Sequence, residues 1–550
     1  MTITDQEAIS PLYRPTRALP FELVQHVGIF FEEKLYAQGL NLLLNIIATG
    51  TTPPTPVYVP CPQHLAVAAT FLVHPSTTTR AKTAEEEVAS NASLRLLRLT
   101  NTLAGPISAK LGTAFTFTHF EASRHGRRRR GEDNRLPNDG MNPLHLELAQ
   151  STAVWSRAED FWHAVGWAFN CSVLHRERWE RWQIWLEYMC EVLEDDWNER
   201  KRMSSSTKAT SAKPDKASHE LLKGSLIFRY ITETTAGYGR NRRIFRSIFA
   251  DGSSSSAGEF REVFHHELKK PRTDTDKNTK KREGQVNINE EQYGDYLTND
   301  EDSTSEPDTA SKRPTRQTKR PRRGTRSKDA KGTEASVDAH TPTTYAPSDV
   351  SCYGGFQSLA LRQRLLHLLS AVSESLPESF TTLEDMYQLF VENIRHLPLP
   401  IFQTFISPSA LPYFSPAART TLCECLLFRI RESGAPDTNE MYLSQAKLEE
   451  CFLPYAASST SVVDNTKMSI ILETLLILLA NNDMLKVTAE LKEAVEEGIE
   501  RRAERAQTET KKSQNARKSE DAEWCWLLES GERLRFLVDE VLPRARNVDG

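Results

Sequence analysis

Between Lys269 and Asp349 the chain runs for about 80 residues with only four Val, Ile or Leu side chains: Val286, Ile288, Leu297 and Val337. The rest is mostly Lys, Arg, Asp, Glu, Ser, Thr and Pro. Such a stretch has too little apolar surface to offset the entropy of ordering, so it is expected to be a disordered, charged tether. It divides the 550 residues into two blocks that can fold, 1–268 and 351–550. A second polar break, 203–218, contains SSSTKATSAKPDKAS. The expected organisation is therefore an N-terminal domain at 1–202, a short flexible break at 203–218 and a helical segment at 219–268 that packs on the N-terminal domain. The tether at 269–350 and a C-terminal domain at 351–550 complete it. No internal repeat of fixed period stands out, although irregular helical repeats can escape detection in a single sequence.

Both blocks read as helix. Apolar residues recur on a 3.6-residue period through Leu19–Ile47, Pro62–Val73, Thr83–Leu103, Glu177–Trp197, Glu220–Thr234 and Arg240–Ala250. The same period runs through Phe356–Leu376, Thr382–His396, Ser415–Arg431 and Asp464–Ala480. Ser156 followed by Glu159 resembles a capping box opening a helix to Leu174. Glu259–Leu268 carries Phe260, Val263, Phe264 and Leu268 on one helical face. Ala114–Phe120 (AFTFTHF) alternates and is the one expected strand. Thr488–Lys518 loses its apolar stripe after Ala503 and is expected to project from the body as a charged helix. The fold class is all-α, an irregular bundle or solenoid-like body in two halves.

Composition excludes several classes of function. With 69 basic against 74 acidic residues the net charge is −5, so the chain as a whole is no polycation. The longest apolar run, Ile470–Leu479, contains Glu473 and falls well short of the ~20 residues that span a bilayer, so no membrane partner is expected. Met1–Pro20 lacks the basic start and apolar stretch of a secretory leader. The eight cysteines are scattered without a CxxC pair, and the single CxC (Cys423, Cys425) has no second pair, so free thiols are expected and no metal or cofactor.

Three segments carry what functional signal there is. Seven of the nine tryptophans lie between Trp155 and Trp197. Trp179, Trp182 and Trp185 sweep round one side of a helix, either as the core of a helix hairpin or as partner-binding anchors. A Gly-flanked turn at Gly237–Gly239 opens a helix bearing Arg240, Arg242, Arg243 and Arg246. Those arginines are candidates for weak phosphate or nucleic-acid contact, together with Arg124 and the run Arg127–Arg130. The alternative is an ordinary amphipathic helix whose arginines pair with acids elsewhere. In the tether, Lys312, Arg313, Lys319, Arg320, Arg322 and Arg323 form two basic groups with a short spacer. They resemble a bipartite nuclear import signal and imply an import receptor. Arg322-Arg323-Gly324 is similar to an AT-hook core, but Thr325 interrupts the pattern. Ser303, Thr304 and Ser305, beside acidic residues, are candidates for phosphorylation.

Catalytic patterns are sparse. No HExxH, GxSxG or phosphate-loop signature occurs. Arg157 and His163 are spaced loosely like the Arg/His pair of HEPN-type helical ribonucleases, and His265-His266-Glu267 offers adjacent metal-ligand types. The sequence thus leads to a non-catalytic nuclear scaffold or adaptor of a chromatin, DNA-maintenance (DNA repair) or RNA-processing complex, acting through protein partners. Direct nucleic-acid binding is the alternative, and a HEPN-like ribonuclease the third.

Overall fold

A computed structural model describes residues 13–49, 55–118, 144–208, 214–233, 239–269, 353–408, 413–438, 440, 442–507 and 517–542. The expected tether beyond Lys269, its basic cluster Lys312–Arg323 and the arginine run Arg124–Arg130 lie outside these residues. The first block holds α1 (Phe21–Glu32), α2 (Tyr36–Ala48), α3 (Pro62–Phe71), α4 (Ala84–Ala104), α5 (Leu111–Ala114) and α6 (Val154–Arg157). It continues with α7 (Phe161–Leu174), α8 (Arg176–Lys208), α9 (Pro214–Lys223), α10 (Leu226–Glu233), α11 (Arg240–Ile248) and α12 (Ser254–Glu259). The second block holds α13 (Gly355–Ser375), α14 (Leu383–Ile394), α15 (Leu399–Ile406), α16 (Pro416–Ile430) and α17 (Gln445–Cys451). It ends with α18 (Val462–Asn481), α19 (Ala489–Gln507) and α20 (Arg517–Phe536), the last running into a wider turn at Leu537–Val541. The fold is all-α.

Local chemistry explains several helix starts. Thr83 and Glu86 form a reciprocal capping box at α4. Thr382, Ser415, Ser444 and Ser461 each accept a first-turn amide at α14, α16, α17 and α18. At α7 the cap is Asp160, whose carboxylate accepts the His163 amide at 2.7 Å, and not Ser156, which sits inside α6.

Several boundaries depart from the sequence reading. The Leu19–Ile47 period is interrupted at Lys34, which adopts φ 62°, and the chain reverses into the α1–α2 hairpin. The expected strand at Ala114–Phe120 does not form in the described residues. Phe115 and Phe117 both turn onto Trp155, at ring distances of 4.9 and 5.1 Å, which produces alternation without a sheet. The strands are instead Thr16–Ala18 and Val57–Val59, a parallel pair with Arg17 opposite Tyr58. The start of the expected break at 203–218 continues α8 to Lys208, where Ser204 and Ser218, both buried, let α9 come close. The Glu259–Leu268 helix is absent: Phe260, Val263 and Phe264 are buried, but from a run of turns.

Residues 489–507 do not project from the body either. Arg502 of α19 is fully buried and its guanidinium donates to the carbonyls of Leu453 and Tyr455, at 3.0 and 3.1 Å. Burial lowers its pKa to about 9. Gly498, one turn earlier, lets the helix press against the Leu453 carbonyl, and a Cβ there would overlap that oxygen. Gly498→Ala is therefore expected to destabilise the protein by about 1–3 kcal/mol despite its better helix propensity, measured as a fall in the urea midpoint.

One continuous apolar core draws on both blocks, from Leu19 to Val538. Helices α7, α8 and α11 of the first block pack against α13 and α14 of the second, within a single compact unit.

Candidate functional site

The tryptophan segment is the centre of the first block. Trp182 and Trp185 are fully buried and Trp179 is 6% exposed, so the three are core residues and not surface anchors. The α7–α8 hairpin needs a large apolar filling, and the indoles supply it. Some of their N–H groups find acceptors inside, Trp155 on Ala66 O at 2.9 Å and Trp162 on Tyr230 O at 3.0 Å, whereas those of Trp185 and Trp197 are buried without one.

Two more indoles converge on one carboxylate. Glu267, fully buried, accepts from Trp167 Nε1 at 3.0 Å and Trp182 Nε1 at 2.7 Å. It accepts Arg178 Nε at 2.7 Å and the Phe264 amide at 3.3 Å. Arg178 in turn donates to Val73 O at 2.5 Å and to the Thr78 hydroxyl at 3.1 Å. A buried ion pair is stable only when the remaining lone pairs and protons are satisfied, and here they are. The network fastens the irregular 260–268 run to α7, α8 and the 73–79 turn. Adjacent histidines therefore do not make a metal site with Glu267, whose oxygens are already occupied. Among the described residues no group of three or more His, Cys, Asp or Glu is placed to hold a metal ion.

Three of the four arginines of α11 pair with acids. Arg243 pairs with Glu159 at 3.1 Å and with Asp160, and its guanidinium lies over the Phe260 ring. Arg246 grips Glu259 through two bonds of 2.8 Å, and Arg242 reaches Glu392 of α14 at 3.3 Å. Arg240 at the helix start is the member of the four without an ion pair among the described residues. This is the amphipathic-helix alternative, in which Arg243 is fully engaged while Arg242 and Arg246 are each tied to one acid at the surface. The ribonuclease-like pair also separates. Arg157 ends α6 on the surface, whereas His163 is buried in α7. His163 Nδ1 accepts the Glu159 amide at 3.1 Å, which leaves Nε2 to donate to Arg261 O at 3.1 Å. Burial lowers its pKa, so it is a neutral, fully used imidazole.

Sequence reasoning missed the junction between the blocks. Arg362 of α13 is fully buried and has no carboxylate partner among its hydrogen bonds. It donates to Ile248 O at 2.5 Å, Ala250 O at 2.9 Å and the Ser358 hydroxyl at 3.2 Å. Its guanidinium is sandwiched between Phe169 and Tyr353, 4.0 and 4.2 Å from the ring centroids. The carbonyls at the C-terminal end of α11 and the two π faces replace the missing anion. Burial lowers its pKa to about 10, so it stays charged at neutral pH. Beside it, Arg364 holds Glu194 of α8 bidentately at 2.9 and 2.7 Å, and Tyr353 donates to Phe249 O at 2.7 Å.

Among the described residues, two cavities on the first block stand out. One, of about 600 Å³, lies beside the strand pair and is lined by Arg17, Leu19, Phe21, Val59, Cys61 and Lys110 among others. The other, of about 520 Å³, is formed by the 74–82 turn, Thr152, Arg157, Phe264 and His265. No family model matches the chain, and no curated protein is detectably similar to it.

Proposed function

We propose that the protein is a non-catalytic nuclear scaffold or adaptor of a chromatin, DNA-maintenance or RNA-processing assembly, working through protein–protein contacts. The observation that carries this reading is the fate of the polar groups on which the competing readings rest. His163, Glu267, Arg242, Arg243 and Arg246 all serve to hold one helical body together. Large apolar side chains remain outside for partners. Phe21 and Ile29, two turns apart on α1, are 64% and 57% exposed. No helix among the described residues is long and apolar enough to cross a membrane. The basic cluster Lys312, Arg313, Lys319, Arg320, Arg322 and Arg323 supplies the import signal and a weak attraction for nucleic acid.

The nuclear part of the proposal has its own test. A fluorescent fusion of the full chain is expected to accumulate in nuclei, and replacing those six basic residues by alanine is expected to leave it in the cytoplasm. Unchanged nuclear accumulation in that variant would remove the import role, and exclusion of the unaltered fusion would remove the compartment.

A further inference from the structure

The second cavity carries an uncommon charge distribution for this protein. Arg80 and Lys82 enter it from the turn before α4, and Arg157 enters from the end of α6. None of these three has a carboxylate within salt-bridge distance among the described residues. No Asp or Glu lines the cavity. Glu86, on the first turn of α4, is spent on the amides of Lys82 and Thr83, at 2.7 and 3.2 Å. The Thr152 hydroxyl behind the wall is screened from the cavity, so recognition there rests on the three cations.

The walls are rigid. Phe264 is held by the Glu267 network, and its ring meets His74 edge-on at 4.8 Å. Arg80 Nη2 donates to the carbonyls of His266 and Lys269, which fixes the guanidinium at the rim and leaves Nε and Nη1 for a ligand. The volume of about 520 Å³ is within the range of small-molecule sites, roughly 300–1,000 Å³, and exceeds what one phosphate fills.

We infer that this cavity is a binding site for a small phosphate-bearing ligand with at least two phosphate groups, held by Arg80, Lys82 and Arg157. Arginine suits it through its forked donors and lysine as a point charge, and both bind phosphate more strongly where water is partly excluded. The site is independent of the scaffold proposal and stands whether or not that reading holds.

Inorganic pyrophosphate is the probe. Titrated into the full chain by calorimetry at fixed ionic strength, it is expected to bind saturably at one site. Lys82→Ala combined with Arg157→Ala removes two exposed side chains that make no contact the fold needs. That variant is expected to melt as the unaltered protein does and to bind pyrophosphate about tenfold more weakly or worse. Arg242→Ala, on α11, should bind as the unaltered protein does. The inference is overturned if the unaltered protein shows no saturable binding at millimolar pyrophosphate, or if the double variant binds equally well. Binding confined to a single-stranded oligonucleotide, and retained by the double variant, would also overturn it.

Discussion

Arg362→Ala is expected to lower the unfolding free energy by about 4 kcal/mol. The substitution strands the buried carbonyls of Ile248 and Ala250, leaves the Ser358 hydroxyl with Ser172 alone, and opens a void between Phe169 and Tyr353. An unmade buried hydrogen bond costs about 1–3 kcal/mol, and the lost packing adds to it. Arg362→Lys keeps the charge but cannot reach both carbonyls and a hydroxyl at once, nor stack as a plane, so it should recover less than half of the loss. The effect has a spatial signature. Seven of the nine tryptophans lie in the first block, so fluorescence follows mainly that block, while far-ultraviolet circular dichroism follows the helices of both. In the unaltered protein the two urea transitions should coincide, and in Arg362→Ala they should separate. Coincident transitions with an unchanged midpoint would mean that the junction does not hold the blocks together.

Glu267→Ala is expected to cost about 3–5 kcal/mol by a different route. It leaves the Arg178 guanidinium buried without its anion and removes the acceptor for two indoles and the Phe264 amide. Glu267→Gln keeps an oxygen acceptor and the shape, so its cost should be smaller. Replacing Arg178 by Met in the Glu267→Ala background removes the stranded charge. The double variant should then be more stable than Glu267→Ala alone, as a double-mutant cycle measures directly. If Glu267→Ala unfolds at the same urea concentration as the unaltered protein, the 260–268 run is not anchored as described. Since Phe264 is a wall of the basic cavity, this variant should also lose pyrophosphate binding, whereas Arg362→Ala should retain it in whatever fraction stays folded.

The helices were legible because their signals are local. The apolar period placed α4, α14, α16 and α18 within a few residues of where they lie. The failures share a cause. Phe260, Val263 and Phe264 have helical spacing and are all buried, but a carboxylate three residues beyond Phe264 holds their backbone in turns. Arg243 and Asp160 are 83 residues apart, and Arg362 lies 112 and 114 residues from its carbonyl partners. No single-sequence pattern links a side chain to a backbone oxygen at that distance. The same holds for the basic cavity, where only Arg157 and His265 had drawn attention, each for a chemistry that the structure separates from it. The tryptophans were read correctly as a dense apolar feature, with two roles left open; burial assigns them to the core.

The central claim is that the chain works by holding protein partners. The most direct measurement is affinity capture of the tagged full-length protein from its own cells, treated with nuclease before washing, followed by mass spectrometry. The account predicts a reproducible, stoichiometric set of nuclear proteins that survives nuclease, with at least one of them lost when Phe21 and Ile29 are both replaced by serine. Recovery of only nuclease-sensitive material would contradict it and turn the reading to direct nucleic-acid binding.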